Sequence, residues 1–347
     1  MYNAEIYTAS LRAAREGAVG REALRDRRIL ITGATGLIGS FLADALLLMN
    51  REEDAGIDVY AAGRSEAGIR ARFGVRTDDP RFHYVPYDAT KPVSLAFEPD
   101  YVIHAATSAH PMAYATDPVG IMQANLIGTM QLLEVLRGQG HGRFMLLSTG
   151  EVYGENPEFP EGFSETDHGW IDGMTPRACY PESKRASETL CASYAAQYGV
   201  DALVARLCHV YGPTFTASNS RADAQFIRRA LAGQDIVMKS AGSQVRSYCY
   251  VADAASALMT LLAKGERGQA YNVANRQSVV SIREYAEALA EVAGVRLTFD
   301  IPPEAERAGY SKITRAVLNP GKLEGLGWRP RFGLRAGLEA TFRANQP

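Results

Sequence analysis

Thr32-Gly33-Ala34-Thr35-Gly36-Leu37-Ile38-Gly39 decides how this chain reads. The apolar run Arg28 to Thr32 in front of it has the character of a buried strand, and Leu37 to Met49 behind it that of an apolar helix. The glycines therefore fall at a strand-to-helix turn, and each has a job there. Gly33 and Gly36 let the backbone turn tightly and approach a pyrophosphate, which the free N–H groups and positive dipole of a helix N-terminus attract. Gly39 lets the helix pack closely on the strand. Gly33, Thr35, Gly36, Leu37, Ile38 and Gly39 are thus expected to hold a dinucleotide, on a GxxGxxG spacing rather than GxGxxG.

Working outward, short apolar runs at Val59 to Ala62, Phe82 to Val85, Tyr101 to His104 and Phe144 to Ser148 alternate with helical patterns such as Gly120 to Leu136 and Ser183 to Tyr198. Such alternation predicts an α/β fold, a parallel sheet with helices on both faces. Beyond about Gly212 the pattern loosens into Gly, Pro, Ser and Asn clusters, where a smaller substrate-facing lobe is expected. No internal repeat or low-complexity tract interrupts the chain.

Composition narrows the partners. The 37 Lys and Arg nearly balance the 39 Asp and Glu, so no electrostatic footprint favours nucleic acid or an anionic membrane. A small-molecule substrate fits better. Cys179, Cys191, Cys208 and Cys249 have neither metal-ligand spacing nor the density of a disulfide scaffold, which suits buried thiols in a reducing compartment. The first residues carry acids and lack an apolar central run, and no stretch reads as the ~20 apolar residues of a membrane span. A cytoplasmic location is expected. No cluster of His, Cys and Asp argues for a metal.

The tip of the second strand is Ala62-Gly63-Arg64-Ser65, where an acid would grip the ribose diol of NAD and an arginine accommodates an additional phosphate. Asp58 lies at the start of that strand and is expected to point away. Gly63, Arg64 and Ser65 therefore lean the cofactor towards NADP, with NAD left open, and Asp88 is the candidate for the adenine end. In Tyr180-Pro181-Glu182-Ser183-Lys184, a proline at the first helical position puts Tyr180 at the helix entrance and Lys184 one turn later on the same face. An ammonium beside a phenol favours the phenolate, which turns a poor base into a usable one, and Lys184 is also placed to bond a nicotinamide ribose.

These motifs resemble the extended short-chain dehydrogenase/reductase family, the nucleotide-sugar epimerases, dehydratases and decarboxylases. The resemblance rests on TGATGLIG at 32–39, HAAT at 104–107, NLIGT at 125–129, LSTGEVYGE at 147–155, CYPESK at 179–184, RLCHVYGP at 206–213 and RSYCYVAD at 246–253. It implies a Rossmann-type doubly wound domain over 28–211 after a helical lead-in at 1–27. Residues 212–347 are then mainly a nucleotide-sugar lobe, with some segments returning to the Rossmann domain. It adds Ala89, Ala105, Ala106, Thr107 and Asn125 to the cofactor contacts. It implies a homodimer through the helices Gly120 to Leu136 and Ser183 to Tyr198.

The chemistry implied is oxidation of a sugar carbon, usually C4, to a ketone. Tyr180 takes the hydroxyl proton, and Thr149 bonds the same oxygen. The family's 4,6-dehydratases carry Asp-Glu in the following loop and UDP-glucuronate decarboxylases Ser-Glu, whereas this chain has Gly150-Glu151. Glu151 is the expected catalytic acid or base. Decarboxylation of a glucuronate-type sugar leads over 4-epimerisation and 4,6-dehydration, because loss of carbon dioxide from a β-keto acid needs less help from a protein acid. An NADPH-dependent keto-sugar reductase and a non-catalytic dinucleotide-binding regulator are the other readings. Arg246 matches an arginine used near the sugar diphosphate, and its fork suits phosphate. Arg221 and Arg307 are further candidates, His209 stands where relatives usually carry Asn, and His110 lies where relatives contact the sugar ring.

Overall fold

The computed structural model describes residues 2–156, 162–301 and 313–346. Its centre is strand β1, Arg28–Thr32, whose residues Ile29 to Thr32 are fully buried. A strand covered on both faces needs such an unbroken apolar run. Around it lie β2 (Asp58–Gly63), β3 (Phe82–Pro86), β4 (Tyr101–His104), β5 (Arg143–Thr149), β6 (Asp201–Leu207) and β10 (Ala270–Val273). They form one parallel sheet in the order β10-β6-β5-β4-β1-β2-β3. The direction of winding reverses between β1 and β4. Ligands of doubly wound sheets bind at that switch point, beyond the carboxyl ends of the strands.

The runs singled out in the sequence all fall within these strands, because buried parallel strands leave a short apolar signature with no competing helical period. Helix α2 (Leu37–Glu53) follows the glycine turn, and Gly39 to Met49 are all buried along it. Such a helix needs cover on every side. It receives it from α1 (Ala4–Gly17), which buries Tyr7, Leu11 and Ala14, and from α8 (Val251–Lys264). The helix α3 (Glu66–Phe73) follows β2, and α4 (Pro111–Thr116) follows β4.

Helix α5 (Pro118–Gln139) outruns the expected Gly120 to Leu136 at both ends. Asp117 caps it by accepting from Gly120 N at 3.0 Å, and Gly140, at φ 76°, stops it. By length and composition this helix is apolar enough to cross a membrane, contrary to the expectation from the sequence. In the fold it buries Ile121, Asn125, Gly128, Leu132 and Leu136 and packs along the helix that begins at Cys179.

Helix α6 (Cys179–Tyr198) begins earlier than expected, so Tyr180 sits inside its first turn and Pro181 is not the first helical residue. A 3-10 turn at Pro176–Ala178 runs directly into it. Pro181 is still harmless there, because the first-turn N–H groups have no partner within the helix.

Beyond Gly212 the chain divides its work. β10 and α8 complete the large sheet and its covering layer. The remainder builds a second sheet around β9 (Val245–Tyr250), which pairs with β7 (His209–Tyr211), β11 (Val279–Ser281) and β13 (Arg315–Ala316). Helix α7 (Ala222–Leu231) and a two-stranded pair, β8 (Ile236–Met238) with β12 (Leu297–Phe299), stand beside it. Its residues face the switch point across a cleft of about 830 Å³.

Candidate active site

The glycine turn is built for close approach. Gly33 has φ 67°, and a Cβ there would lie 2.5 Å from the Ala105 carbonyl oxygen. A Cβ on Gly39 would lie 2.6 Å from Gly33 O, so neither position accepts a side chain without moving backbone. Gly36 is the N-cap of α2, and no side chain caps that end. The first-turn amides of Leu37, Ile38 and Gly39 therefore face the cleft as free donors with the positive end of the helix dipole behind them.

Thr32 ties the switch point together. Its hydroxyl bonds His104 Nδ1 at 2.8 Å and accepts from Ala105 N at 3.1 Å. Burial, with Lys184 as a second cause, pulls the His104 pKa down to about 3, so this imidazole is a neutral strut. Ala105, Ala106 and Thr107 follow it along the cleft floor. Thr107 Oγ1 is buried with no partner among the described residues, which fits a ligand with polar groups.

At the far end Gly63, Arg64, Asp88 and Ala89 line the cleft. Asp88 accepts from Thr90 N at 3.0 Å and Thr90 Oγ1 at 2.8 Å, and these bonds hold its carboxyl below the usual range, with Lys91 and Arg64 helping. Asp58 is turned away, bonded to His83 at 2.9 Å. Ser65 is not among the lining residues, since its hydroxyl caps α3 by accepting from Gly68 N at 3.1 Å. Asn125 is a second departure from expectation. It is fully buried between α5 and α6, donating to Ser183 Oγ at 2.8 Å, because its face of α5 meets the neighbouring helix rather than the cleft.

The opposite wall carries the chemistry. Thr149 ends β5, and its Oγ1 accepts from Glu151 N at 3.2 Å. Tyr180 lies against it, buried. Burial and the Glu151 charge push the phenol up, while a hydrogen bond with Thr149 and the cations Arg221 and Arg177 pull it down. The sequence pairs this phenol with the Lys184 ammonium one turn along α6. Its Nζ donates to the Leu147 carbonyl at 2.8 Å, behind the wall rather than on it. Burial lowers its pKa to about 8, against the pull of Glu188.

Two residues of this wall escaped the reading of the sequence. Arg177 Nη2 stands 2.7 Å from Glu151 Oε2, and its guanidinium lies over the Tyr114 ring at 4.5 Å. Tyr114 in turn stacks on Tyr180, centroids 5.0 Å apart. The signal for Arg177 was its place three residues before Tyr180, and Tyr114 lies within the segment that drew attention only to His110. Gly150 is closed over by Leu318, whose Cδ2 would be 3.1 Å from a Cβ at that position.

His110 caps α4, its Nδ1 3.2 Å from Ser220 Oγ, and burial lowers its pKa. Arg221 is the residue before α7, 3.5 Å from Asp223. His209 is held neutral by burial and by the neighbouring Arg221 and Arg246. Arg246 is buried and donates to the carbonyls of Val245 at 2.9 Å and Ile313 at 2.7 Å, which aims its fork. All four line the cleft. Arg307 lies outside the described residues. Among the described residues no group of His, Cys, Asp and Glu is placed to hold a metal, and all four cysteines are buried and free.

Residues 29–274 match the NAD dependent epimerase/dehydratase family, well over half of the chain. The chain belongs to that family. Among curated relatives, UDP-glucuronic acid decarboxylase 5 of Arabidopsis thaliana is 34% identical over 322 residues, 91% of this chain and 89% of that one. UDP-glucuronic acid decarboxylase 1 of Danio rerio is 32% identical over 317 residues, 91% of this chain and 72% of the other. Among solved structures, the Thermus thermophilus UDP-glucose 4-epimerase in complex with NAD superposes with a TM-score of 0.75 at 29% identity, covering 92% of this chain and all 100% of that one. The Streptomyces venezuelae dTDP-glucose 4,6-dehydratase gives 0.77 at 27%, covering 91% and 96%. Membership of this NAD-dependent family makes the protein an enzyme, and the open glycine turn and the unpartnered Thr107 hydroxyl fit a nicotinamide dinucleotide.

Proposed function

We propose that this enzyme removes the carboxylate carbon of a nucleotide-linked uronic sugar of the UDP-glucuronate kind as carbon dioxide, with no net redox change. One arrangement carries the reading: Tyr180, Thr149 and Glu151 line the same cleft, Glu151 is paired with Arg177, and position 150 has no acid.

Tyr180 takes the proton of the C4 hydroxyl while Thr149 steadies that oxygen. The bound nicotinamide supplies the acceptor for the C4 hydride and, at the end of the turnover, its donor. With a ketone at C4, the carboxylate on C5 belongs to a β-keto acid. The C5–C6 bond breaks, its electron pair moves into an enolate held at Thr149 and Tyr180, and Glu151 manages the proton that returns to C5.

The same geometry supports decarboxylation over its neighbours. A 4,6-dehydratase needs an acid for the departing hydroxyl, and Leu318 packs where a side chain at position 150 would begin. A 4-epimerase needs Tyr180, Thr149 and a rotating sugar, and has no use for the Glu151 and Arg177 pair. The reading of a reductase that consumes NADPH rests on Arg64 alone.

Backbone amides of Leu37 to Gly39 would hold the pyrophosphate and Thr107 the nicotinamide half. Arg64 in place of an acid supports acceptance of NADP besides the NAD that solved neighbours carry. Arg246, Arg221 and His209 face the sugar diphosphate. Exposed Val119, Met122 and Met130 along α5 support a homodimer through α5 and α6.

Incubation with a panel of nucleotide sugars, followed by mass and proton NMR, tests the reaction. Loss of carbon dioxide from UDP-glucuronate is expected. Loss of water, or unchanged mass with an inverted C4, would replace this reading. Glu151→Gln is expected to stop product formation yet leave reduction of the bound nicotinamide visible in absorbance.

A further inference from the structure

Glu151 poses a problem for a carboxylated substrate. Its carboxylate lies in the cleft beside Tyr180, so a uronate whose C4 reaches Tyr180 brings a second carboxylate close to it. Two anions at a few Å repel each other strongly in a partly desolvated site. A neutral sugar meets no such penalty.

Arg177 is placed to change that balance. Its Nη2 already meets Glu151 Oε2 at 2.7 Å, and the two side chains retain 40% and 24% exposure, so both are reached from the cleft. Among the described residues no other hydrogen bond occupies the guanidinium, which leaves its remaining donors for a second acceptor. The Tyr114 ring lies beneath it at 4.5 Å, and Tyr114 stacks on Tyr180, so the guanidinium is tied by contact to the reacting end of the sugar. Arg246 and Arg221 are the arginines already assigned to the sugar diphosphate. Arg246 is held by two backbone carbonyls, and Arg221 leans towards Asp223.

We infer that Arg177 is the specificity-determining residue for a carboxylated sugar, its guanidinium shared between Glu151 and the sugar carboxylate. The inference rests on the uronate reading of the site. It also accounts for how the charge can leave. When the carboxylate departs as neutral carbon dioxide, Arg177 still has Glu151, so no unpaired cation remains in the cleft.

The test uses the cofactor-loaded enzyme and calorimetric affinities for UDP-glucuronate and UDP-glucose. The parent is expected to favour the uronate. Arg177→Gln is expected to weaken UDP-glucuronate about tenfold while leaving UDP-glucose within about twofold. Arg177→Lys, which keeps the charge and loses the fork, is expected to fall between them and carries the test if the glutamine variant does not fold. Equal weakening of both sugars, or no change in either, overturns the role of Arg177. Failure of the parent to release carbon dioxide from UDP-glucuronate overturns the uronate reading itself, so the two failures are told apart.

Discussion

The two ends of the cleft are made in different ways. The dinucleotide end is backbone: a turn at Gly33, a bare helix N-terminus at Gly36, and a glycine at 39 that lets strand and helix touch. The sugar end is side chains drawn from β5, α4, α6, α7, β7 and β9, held by one another through the Glu151, Arg177, Tyr114 and Tyr180 contacts. A backbone site fails when a side chain is added to it. A side-chain site fails when one is taken away.

The largest effect expected on that contrast is at Tyr180. Tyr180→Phe removes one hydroxyl from the sugar end and is expected to lower kcat by about 10²- to 10⁴-fold with cofactor affinity unchanged. Retained turnover would dissolve the assignment of this wall. Gly33→Ala is the mirror case. The added Cβ meets Ala105 O at 2.5 Å in a backbone conformation at φ 67°, so cofactor dissociation constants should rise about tenfold or more. Equilibrium binding of NAD by fluorescence reads this directly, and unaltered binding would mean that the turn does not grip the dinucleotide.

Lys184 lies at the seam, and its titration sharpens the comparison. Its pKa is lowered to about 8 in the folded protein, from an ordinary 10.5. Between those values the unfolded chain binds the extra proton, so the lysine makes stability rise with pH across that window. If its charge serves the cofactor ribose and Tyr180, kcat/KM should fall above about pH 8 while its contribution to Tm moves the other way. Activity and Tm profiles of the parent and of Lys184→Met separate the two. A flat activity profile through that range would leave Lys184 with a packing role only. Arg64→Ala should be the mildest change, a shift of about tenfold or less in the NADP to NAD affinity ratio. No shift would remove the phosphate reading of the β2 tip.

The same contrast governs what the sequence disclosed. The turn at 32–39 was legible because backbone demands are written in glycine spacing, and the strands because double-sided burial leaves few polar letters. Thr149, Glu151 and Tyr180, each carried by a short local motif, all line the cleft. Arg177 and Tyr114 were missed because their roles arise from contact between segments far apart in the chain. Lys184 and Asn125 were put on the cleft surface, whereas one is drawn behind the wall by the Leu147 carbonyl and the other turned into the joint of α5 and α6. A motif fixes where a residue stands along a helix; its neighbours decide where the side chain ends.

The return of β10 to pair with β6 has a consequence for how such an enzyme can diversify. Residues 208–250 leave the layers of the large sheet before α8 and β10 return to them, so this part of the sugar-facing wall is an excursion tethered at both ends. The entropy of closing such an excursion grows only logarithmically with its length, about 0.6 kcal/mol for each doubling. Segments within it can lengthen, shorten or be exchanged at little expense to the folding of the sheet that carries the cofactor. New sugar preferences can accumulate in the excursion while the hydride-carrying half of the catalyst is inherited intact.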